Sequence, residues 1–544
     1  MRIVVFTGDP ALERSPWWPV VLGTPGLSAV LIVRHIPPRD VRTMARRFAR
    51  NVRRHGLVFV PYRAAVLLAS WWHDLARRRR PVPLVASPVA VEEICATDVH
   101  DDAVVARVRE WAPDLGVSIG APIMKRALFG VPTQGTLNVH LGRVPEFRGA
   151  PPGFWELWHG ATEVGATVHW IDDALDTGPM VEWDTAPLHA DDTPDRAAAR
   201  AQELGVDLLA RALAHVAAGC ARRVPQAAGG LTRRTPTVGQ RWILAARLAW
   251  RRFRTRAADP AYIPKVIAAT AWVAIVAPLL DLTRALRGRH AVRIFTYHRV
   301  TDLCRDGMTV SPAEFRRQVA YIRRTHTVVS LDHALAILAS GAALHEPLAV
   351  FTFDDGYRSV ATAAKPVLDE AGVTAACFVN TGLVDAGCGQ PHDAASGVRA
   401  RLALMTWAEL AALQRDGWHL GGHTAHHIRL SDVQGDALRH ETEEPLAALQ
   451  ARLGVHDATM AYPFGGAGDI TADGVRAARE AGFVALFSNH GGENPRGAAP
   501  FVLRRIDLGG DHDRLMWKAM ARGMPLGELG RRLRAPVFAH ARGT

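Results

Sequence analysis

Two groups of polar residues have the types and spacing that chemistry requires. The first lies in the run GTLNVHLGRVPEFRGAPPGFWELWHG from Gly135, followed from Ala166 by ATVHWIDDALDTGPMV. Asn138 and His140 stand two apart, so on a strand that ends in a loop both face one side. Asp176 sits in the turn Leu175-Asp176-Thr177-Gly178-Pro179, which can present a carboxylate. An amide, an imidazole and an acid together suit acyl transfer, the amide holding an oxyanion while the other two manage protons. The second group opens at Phe351-Thr352-Phe353-Asp354-Asp355-Gly356, an apolar stretch ending in adjacent carboxylates. Farther on, Gly421-Gly422-His423-Thr424-Ala425-His426-His427 supplies imidazoles at i and i+4. Two histidines and a carboxylate leave positions open for water, the arrangement of a catalytic rather than a structural metal site. Water held there becomes a nucleophile near neutral pH, and the second carboxylate can act as its base.

In order and spacing the first group resembles the folate-dependent formyltransferase family, over roughly residues 1–225. That family's Asn-x-His, Pro-containing loop ending in Arg-Gly, and Asp-x-Gly-Pro stand here as Asn138-Val139-His140, Pro145-Glu146-Phe147-Arg148-Gly149 and Asp176-Thr177-Gly178-Pro179. The resemblance implies formyl transfer from 10-formyltetrahydrofolate to an amine, with Asn138, His140 and Asp176 catalytic. Asn138 and protonated His140 would hold the oxyanion, and Asp176 would orient His140 and raise its pKa. The sequence departs from the family beside the acceptor site, where the usual Ser-Leu-Leu-Pro is Gly142-Arg143-Val144-Pro145 and the usual Tyr is Phe147.

The second group resembles the polysaccharide deacetylase (NodB-homology) family, over about residues 291–508. Its motifs stand here as Thr352-Phe353-Asp354-Asp355-Gly356, as His423 to His427, and as Ala461-Tyr462-Pro463-Phe464-Gly465, with Tyr297-His298-Arg299 like that family's first strand. The resemblance implies a distorted (β/α)7 barrel. Asp355, His423 and His427 would bind a divalent metal, zinc by default, with Asp354 as general base and the backbone N–H of Phe464 serving the oxyanion. Many members have Arg where Ala461 stands, and a late Leu-x-His that would supply a general acid is not evident; His490 is the nearest candidate.

The elements that must carry these residues are α/β in both halves. Ile3 to Phe6 and Ser28 to Val33 read as parallel strands, with a helix over Asp101 to Trp111, so a Rossmann-like layer is expected at the N-terminus. Strands at Val292–Tyr297, Leu348–Phe353 and Ala375–Val379 open the second pattern. The chain divides into a formyltransferase domain at 1–228, a basic and apolar linker at 229–290, a deacetylase domain at 291–510 and a basic tail at 511–544. Arg42 to Arg80 reads as an Arg- and Trp-rich helical insertion.

The formal net charge of the 544 residues is +12, but between Arg233 and Arg289 twelve Lys or Arg face two Asp, so the middle of the chain carries nearly all of it. There Trp242, Ile243, Trp250 and Phe253 alternate with arginines, and Val266 to Leu280 is free of charge. That apolar run is short for a span. Two readings stand, a helix lying in a membrane interface or a buried linker helix, and the local charge favours the first. Five cysteines, none in a CxxC pair, exclude a disulfide framework and thiolate zinc clusters. The start MRIVVFTGDPALERS has no secretory pattern, so a cytoplasmic protein is expected, peripheral on an anionic inner-membrane surface. A hydrolytic deacylase and a folate-using domain in one such chain imply a bifunctional enzyme that N-formylates a nucleotide- or lipid-linked amino sugar and N-deacylates a carbohydrate. The alternative is a methionyl-tRNA formyltransferase-like enzyme with a fused deacetylase; nucleic acid is otherwise not expected as a partner.

Overall fold

β-branched runs alternating with helices build a mostly parallel sheet in each of two units, Met1–Arg254 and Thr255–Thr544. The computed structural model describes residues 1–37, 41–56, 59–61, 63–64, 89–189, 192–391, 393, 402–466, 468–510 and 513–524. Much of the insertion read at Arg42 to Arg80, and residues 525–544 of the tail, lie outside them; the described part of the insertion includes the helix Val41–His55.

In the first unit β1 (Arg2–Thr7), β2 (Ala29–His35), β3 (Ala90–Ala96), β4 (Leu115–Ile119) and β5 (Thr136–His140) run parallel in the order β3-β2-β1-β4-β5. β7 (Glu163–Trp170) and β8 (Met180–Pro187) extend the sheet antiparallel beyond β5. Val4, Phe6, Leu31 and Val33 pack against Val104, Val108 and Trp111 of the helix Asp102–Trp111. The short β6 (Phe147–Gly149) lies off this sheet and pairs in parallel with β9 (Leu231–Arg233). Residues 229–290 therefore begin by pairing with the loop that follows β5, and then form the helix Val238–Ala257 and a 26-residue helix, Tyr262–Arg287.

The second unit is a barrel. β10 (Ala291–Tyr297), β11 (Leu348–Phe353), β12 (Ala376–Val379), β13 (His419–Gly422), β14 (Thr459–Ala461) and β15 (Ala485–Phe487) are parallel neighbours in chain order. β16 (Arg505–Asp507) pairs in parallel with β10, while Leu503 just before it bridges to Phe487 of β15. Seven parallel strands thus come nearly full circle, as a distorted (β/α)7 barrel requires. Phe295, Tyr297, Phe351 and Phe353 are fully buried in its largest core. Of the apolar window of Tyr262–Arg287, 11% is buried.

Candidate active sites

Asn138, His140 and Asp176 come together at the end of β5. The antiparallel register puts Asn138 opposite His169 of β7, and the Asn138 Nδ2 donates to His169 Nε2 at 3.1 Å. The His169 Nδ1–H donates to the Trp170 carbonyl, which fixes Nε2 as the acceptor. Asn138 Nδ2 also lies 3.4 Å from Asp176 Oδ1, and His140 Nδ1 lies 3.4 Å from Asp176 Oδ2. The Gly149 N–H donates to Asp176 Oδ2 at 3.1 Å. His169, buried and in the middle of the set, was passed over in sequence; its signal is its place opposite Asn138 on a hairpin.

His140 donates its Nε2–H to the Phe147 carbonyl at 2.7 Å, which leaves Nδ1 toward Asp176 as the atom that gains or loses a proton. Burial pulls His140 below the usual imidazole range and outweighs Asp176, so the expectation of a raised pKa is corrected in sign. Asp176 stays below the usual carboxylate range because hydrogen bonding and charge from His169 and His140, with the Gly149 N–H, outweigh burial. The departure at Gly142 has a steric reason. A Cβ there would stand 2.6 Å from the Phe147 oxygen and 2.7 Å from His140 Nε2.

Residues beyond Asp176 secure this loop. Gln226 donates to the carbonyls of Asp176 and Gly178 and accepts from Arg148 at 2.7 Å. Past β6 and β9 lies an open cavity of about 360 Å³, lined by Trp155, Arg233, Arg234, Thr237 and Gln240 among others. The Arg233 guanidinium stands 5.7 Å from the centre of the Trp155 ring. Glu156, beside Trp155 in the helix Phe154–His159, is buried, and burial pushes its carboxyl up to about 7.

In the barrel, Asp355, His423 and His427 bring one ligand atom each within 4.8 Å of one another. Asp355 Oδ1 is 3.5 Å from His423 Nε2 and 3.2 Å from His427 Nε2. The His423 Nδ1–H donates to the Ala461 carbonyl at 2.8 Å, so its Nε2 lone pair points into the cluster. Burial takes His423 down to about 4 in spite of Asp354 and Asp355, leaving it neutral as a metal ligand must be. Two imidazoles and one carboxylate so arranged fit a divalent cation. A buried amide pair supports them. Asn380 Nδ2 donates to the His423 carbonyl, and Gln390 Nε2 donates to the Asp355 carbonyl and to Asn380 Oδ1 at 2.7 Å.

Asp354 is not in the ligand cluster. It is held bidentately by Arg505 of β16, at 2.6 and 2.7 Å. Burial alone would raise its pKa, but Arg505 and His423 hold it down at about 2. The arginine absent at Ala461 thus has a counterpart from another strand, one visible in sequence only as a charge within Leu503-Arg504-Arg505-Ile506-Asp507. His490 is exposed. His298, just past β10, is half-buried and level with Asp354, whose N–H donates to the Tyr297 carbonyl; His298 Nδ1 is buried without a hydrogen-bond partner. Phe464 sets its ring 5.1 Å from that of His427, with the Arg429 guanidinium 4.2 Å from it on centre.

Backbone strain gathers at the same places. Six non-glycine residues among those described have positive φ, and five of them are Asp176, Asp355, Thr424, His427 and Phe464. Such conformations cost on the order of 1–3 kcal/mol each and persist where the surroundings over-determine them.

A family model described as Formyl transferase matches residues 72–213, and one described as Polysaccharide deacetylase matches residues 341–486. The methionyl-tRNA formyltransferase of Trichlorobacter lovleyi is 38% identical over 130 residues, covering 24% of this chain and 40% of that protein. The chain spans 40% and 63% of the length of two such curated relatives. Among solved structures, IcaB from Ammonifex degensii is similar at 25% identity over 43% of this chain and 98% of that one, with a TM-score of 0.36. A sugar N-formyltransferase from Shewanella sp FDAARGOS_354 is similar at 15% identity over 46% and 87%, with a TM-score of 0.30. The two family matches give the chain a formyltransferase domain in its first unit and a polysaccharide deacetylase domain in its second.

Proposed function

We propose that the protein modifies the amino nitrogen of a carrier-linked sugar twice over, formylating it at one site and hydrolysing an N-acyl group at the other. The observation that carries this reading is the pair of separately built clusters, Asn138–His140–Asp176 and Asp355–His423–His427. In the first, 10-formyltetrahydrofolate supplies the formyl group. As the neutral acceptor amine attacks it, the Asn138 amide stabilises negative charge on the formyl oxygen. His140 Nδ1 takes the proton the amine loses, Asp176 steadies the imidazolium so formed, and as the bond from the formyl carbon to the folate nitrogen breaks His140 returns that proton to the departing tetrahydrofolate. His169 positions Asn138. The cavity at Trp155, Arg233 and Arg234 offers stacking and positive charge to the phosphates of a nucleotide or lipid carrier.

In the second site, Asp355, His423 and His427 would hold a divalent ion, which would supply a water activated at neutral pH. Asp354, kept ionised by Arg505, accepts a proton from the attacking water, and the backbone N–H of Phe464 takes the charge on the acyl oxygen. His298 rather than His490 protonates the leaving amine. We place the protein in the cytoplasm, in contact with the anionic inner face of the membrane.

The names of the curated relatives favour a second reading, formylation of aminoacylated tRNA. Mass spectrometry separates the two. UDP-, dTDP- and lipid-linked amino sugars, and charged initiator tRNA, are incubated with the protein with and without formyl-folate. A sugar product heavier by CO, as when a formyl group replaces an amine hydrogen, supports the first reading, formylated aminoacyl-tRNA alone the second, and no product on either counts against both.

A further inference from the structure

The helix Tyr262–Arg287 is long and apolar enough to cross a bilayer by length and composition, at about 1.5 Å per residue. Its surroundings within the second unit argue for a different use. One side is fastened to the unit from the first turn to the last. Tyr262 Oη donates to Asp513 at 3.2 Å, Trp272 Nε1 donates to the Arg522 carbonyl at 3.2 Å, Asp281 pairs with Arg522, and Arg284 pairs with Glu493 at 2.9 Å. Between these ties Ala269, Trp272 and Val273 pack on Leu515, Met516 and Ala519.

The opposite side is apolar and bare. Ile263, Ile267, Ile275, Leu279, Leu282 and Leu286 are all exposed, Ile275 by 60% and Leu286 by 78%. Their spacings of four, eight, four, three and four put them on one stripe, with exposed Ala271 filling the longer gap. Arg287 and Arg289, both exposed, stand at the end of the stripe.

We propose that Tyr262–Arg287 lies in the plane of an anionic bilayer, sunk by the stripe Ile263–Leu286, and does not cross it. A crossing helix would have to leave every one of the ties above and carry Asp281 and Arg284 with it. An in-plane helix keeps them facing the protein while the stripe enters the acyl boundary and the arginines meet anionic headgroups. Exposed Arg287 and Arg289 at the end of the stripe match a lipid surface of opposite charge, and would repel the same patch on a second copy. This rests on the membrane contact proposed above and adds its face and its mode.

The test is co-sedimentation of the full chain with vesicles of phosphatidylcholine alone or mixed with phosphatidylglycerol. Binding at least tenfold tighter to the anionic vesicles, weakened by salt, is expected. Ile275→Asp with Leu279→Asp should lower it more than tenfold while leaving deacylation of a soluble substrate unchanged. Trp272→Asp should instead unsettle the fold. Spin labels on Ile267→Cys, Ile275→Cys and Leu282→Cys should report equal, shallow depths. Depths that grade from one leaflet to the other would overturn the in-plane mode. Unchanged binding by the double variant would overturn the face but not membrane contact, and no binding to any vesicle would overturn both. Self-association abolished by Ile275→Asp, without vesicle binding, would assign the stripe to a second copy.

Discussion

Arg505 neutralises Asp354, the buried carboxylate proposed as the base, from a strand that none of the deacetylase motifs includes. Arg505→Met should cost about 3–5 kcal/mol of stability, because Asp354 is then left buried without a counter-charge. In the folded fraction the acidic limb of the deacylation pH–rate profile should move to higher pH, whereas Arg505→Lys should keep it low; an unmoved limb in Arg505→Met would show that another group holds Asp354. His298→Asn should slow deacylation by about 10²–10⁴-fold, the usual worth of a general acid, with bound metal unchanged by elemental analysis. Equal activity in His298→Asn would remove it from that role. Glu156 makes a pH prediction. Its carboxyl is raised from 4.5 to about 7, so the stability it contributes is full below 4.5 and is lost as pH rises through about 7, at most about 3 kcal/mol. Glu156→Gln should therefore melt higher than the natural protein at pH 8 and much like it at pH 4.5, in a thermal scan read by the first unit's tryptophans. What could be read at this scale from the sequence was each motif residue in its own segment. His169, Arg505, Asn380 and Gln390 were hidden because their roles arise from strand register and barrel closure, which bring together residues far apart in the chain.

At the scale of elements, the strands were legible because β-branched runs bounded by turns leave little choice, and the structure extends or trims them only by a residue or two. The parallel pairing of β6 with β9 was not legible, since three-residue strands of mixed polarity have no period to read. Nor was the length of Tyr262–Arg287. A charge-free run ends at Asp281, yet Asp281 and Arg284 face the protein, so the apolar stripe continues past them. The β6–β9 pair depends on Gly149, which has φ of 91° and where a Cβ would fall 2.2 Å from the Arg233 oxygen. Gly149→Ala should part the two strands and withdraw the N–H from Asp176. Formyl transfer should then fall at least tenfold with deacylation untouched, and an active Gly149→Ala protein would mean that the pairing does not hold the site.

At the scale of the molecule, two compact units each contain a complete cluster, so the chemistries should fail independently. His140→Ala should remove formyl transfer, by about 10²–10⁴-fold as the loss of the base that takes the amine's proton, and leave deacylation intact. A chelator should do the reverse, and a chelator that stopped both would contradict the separation. β9 also bears on where such a chain can be cut or joined. The matched formyltransferase stretch ends at residue 213, but Gln226 and Leu231–Arg233, which hold the Asp176 turn and Phe147–Gly149, come after it. A recombination breakpoint at that boundary would yield a fragment with a whole sheet and a slack reaction centre. A fusion meant to keep formyl transfer at full rate should therefore be spliced downstream of β9.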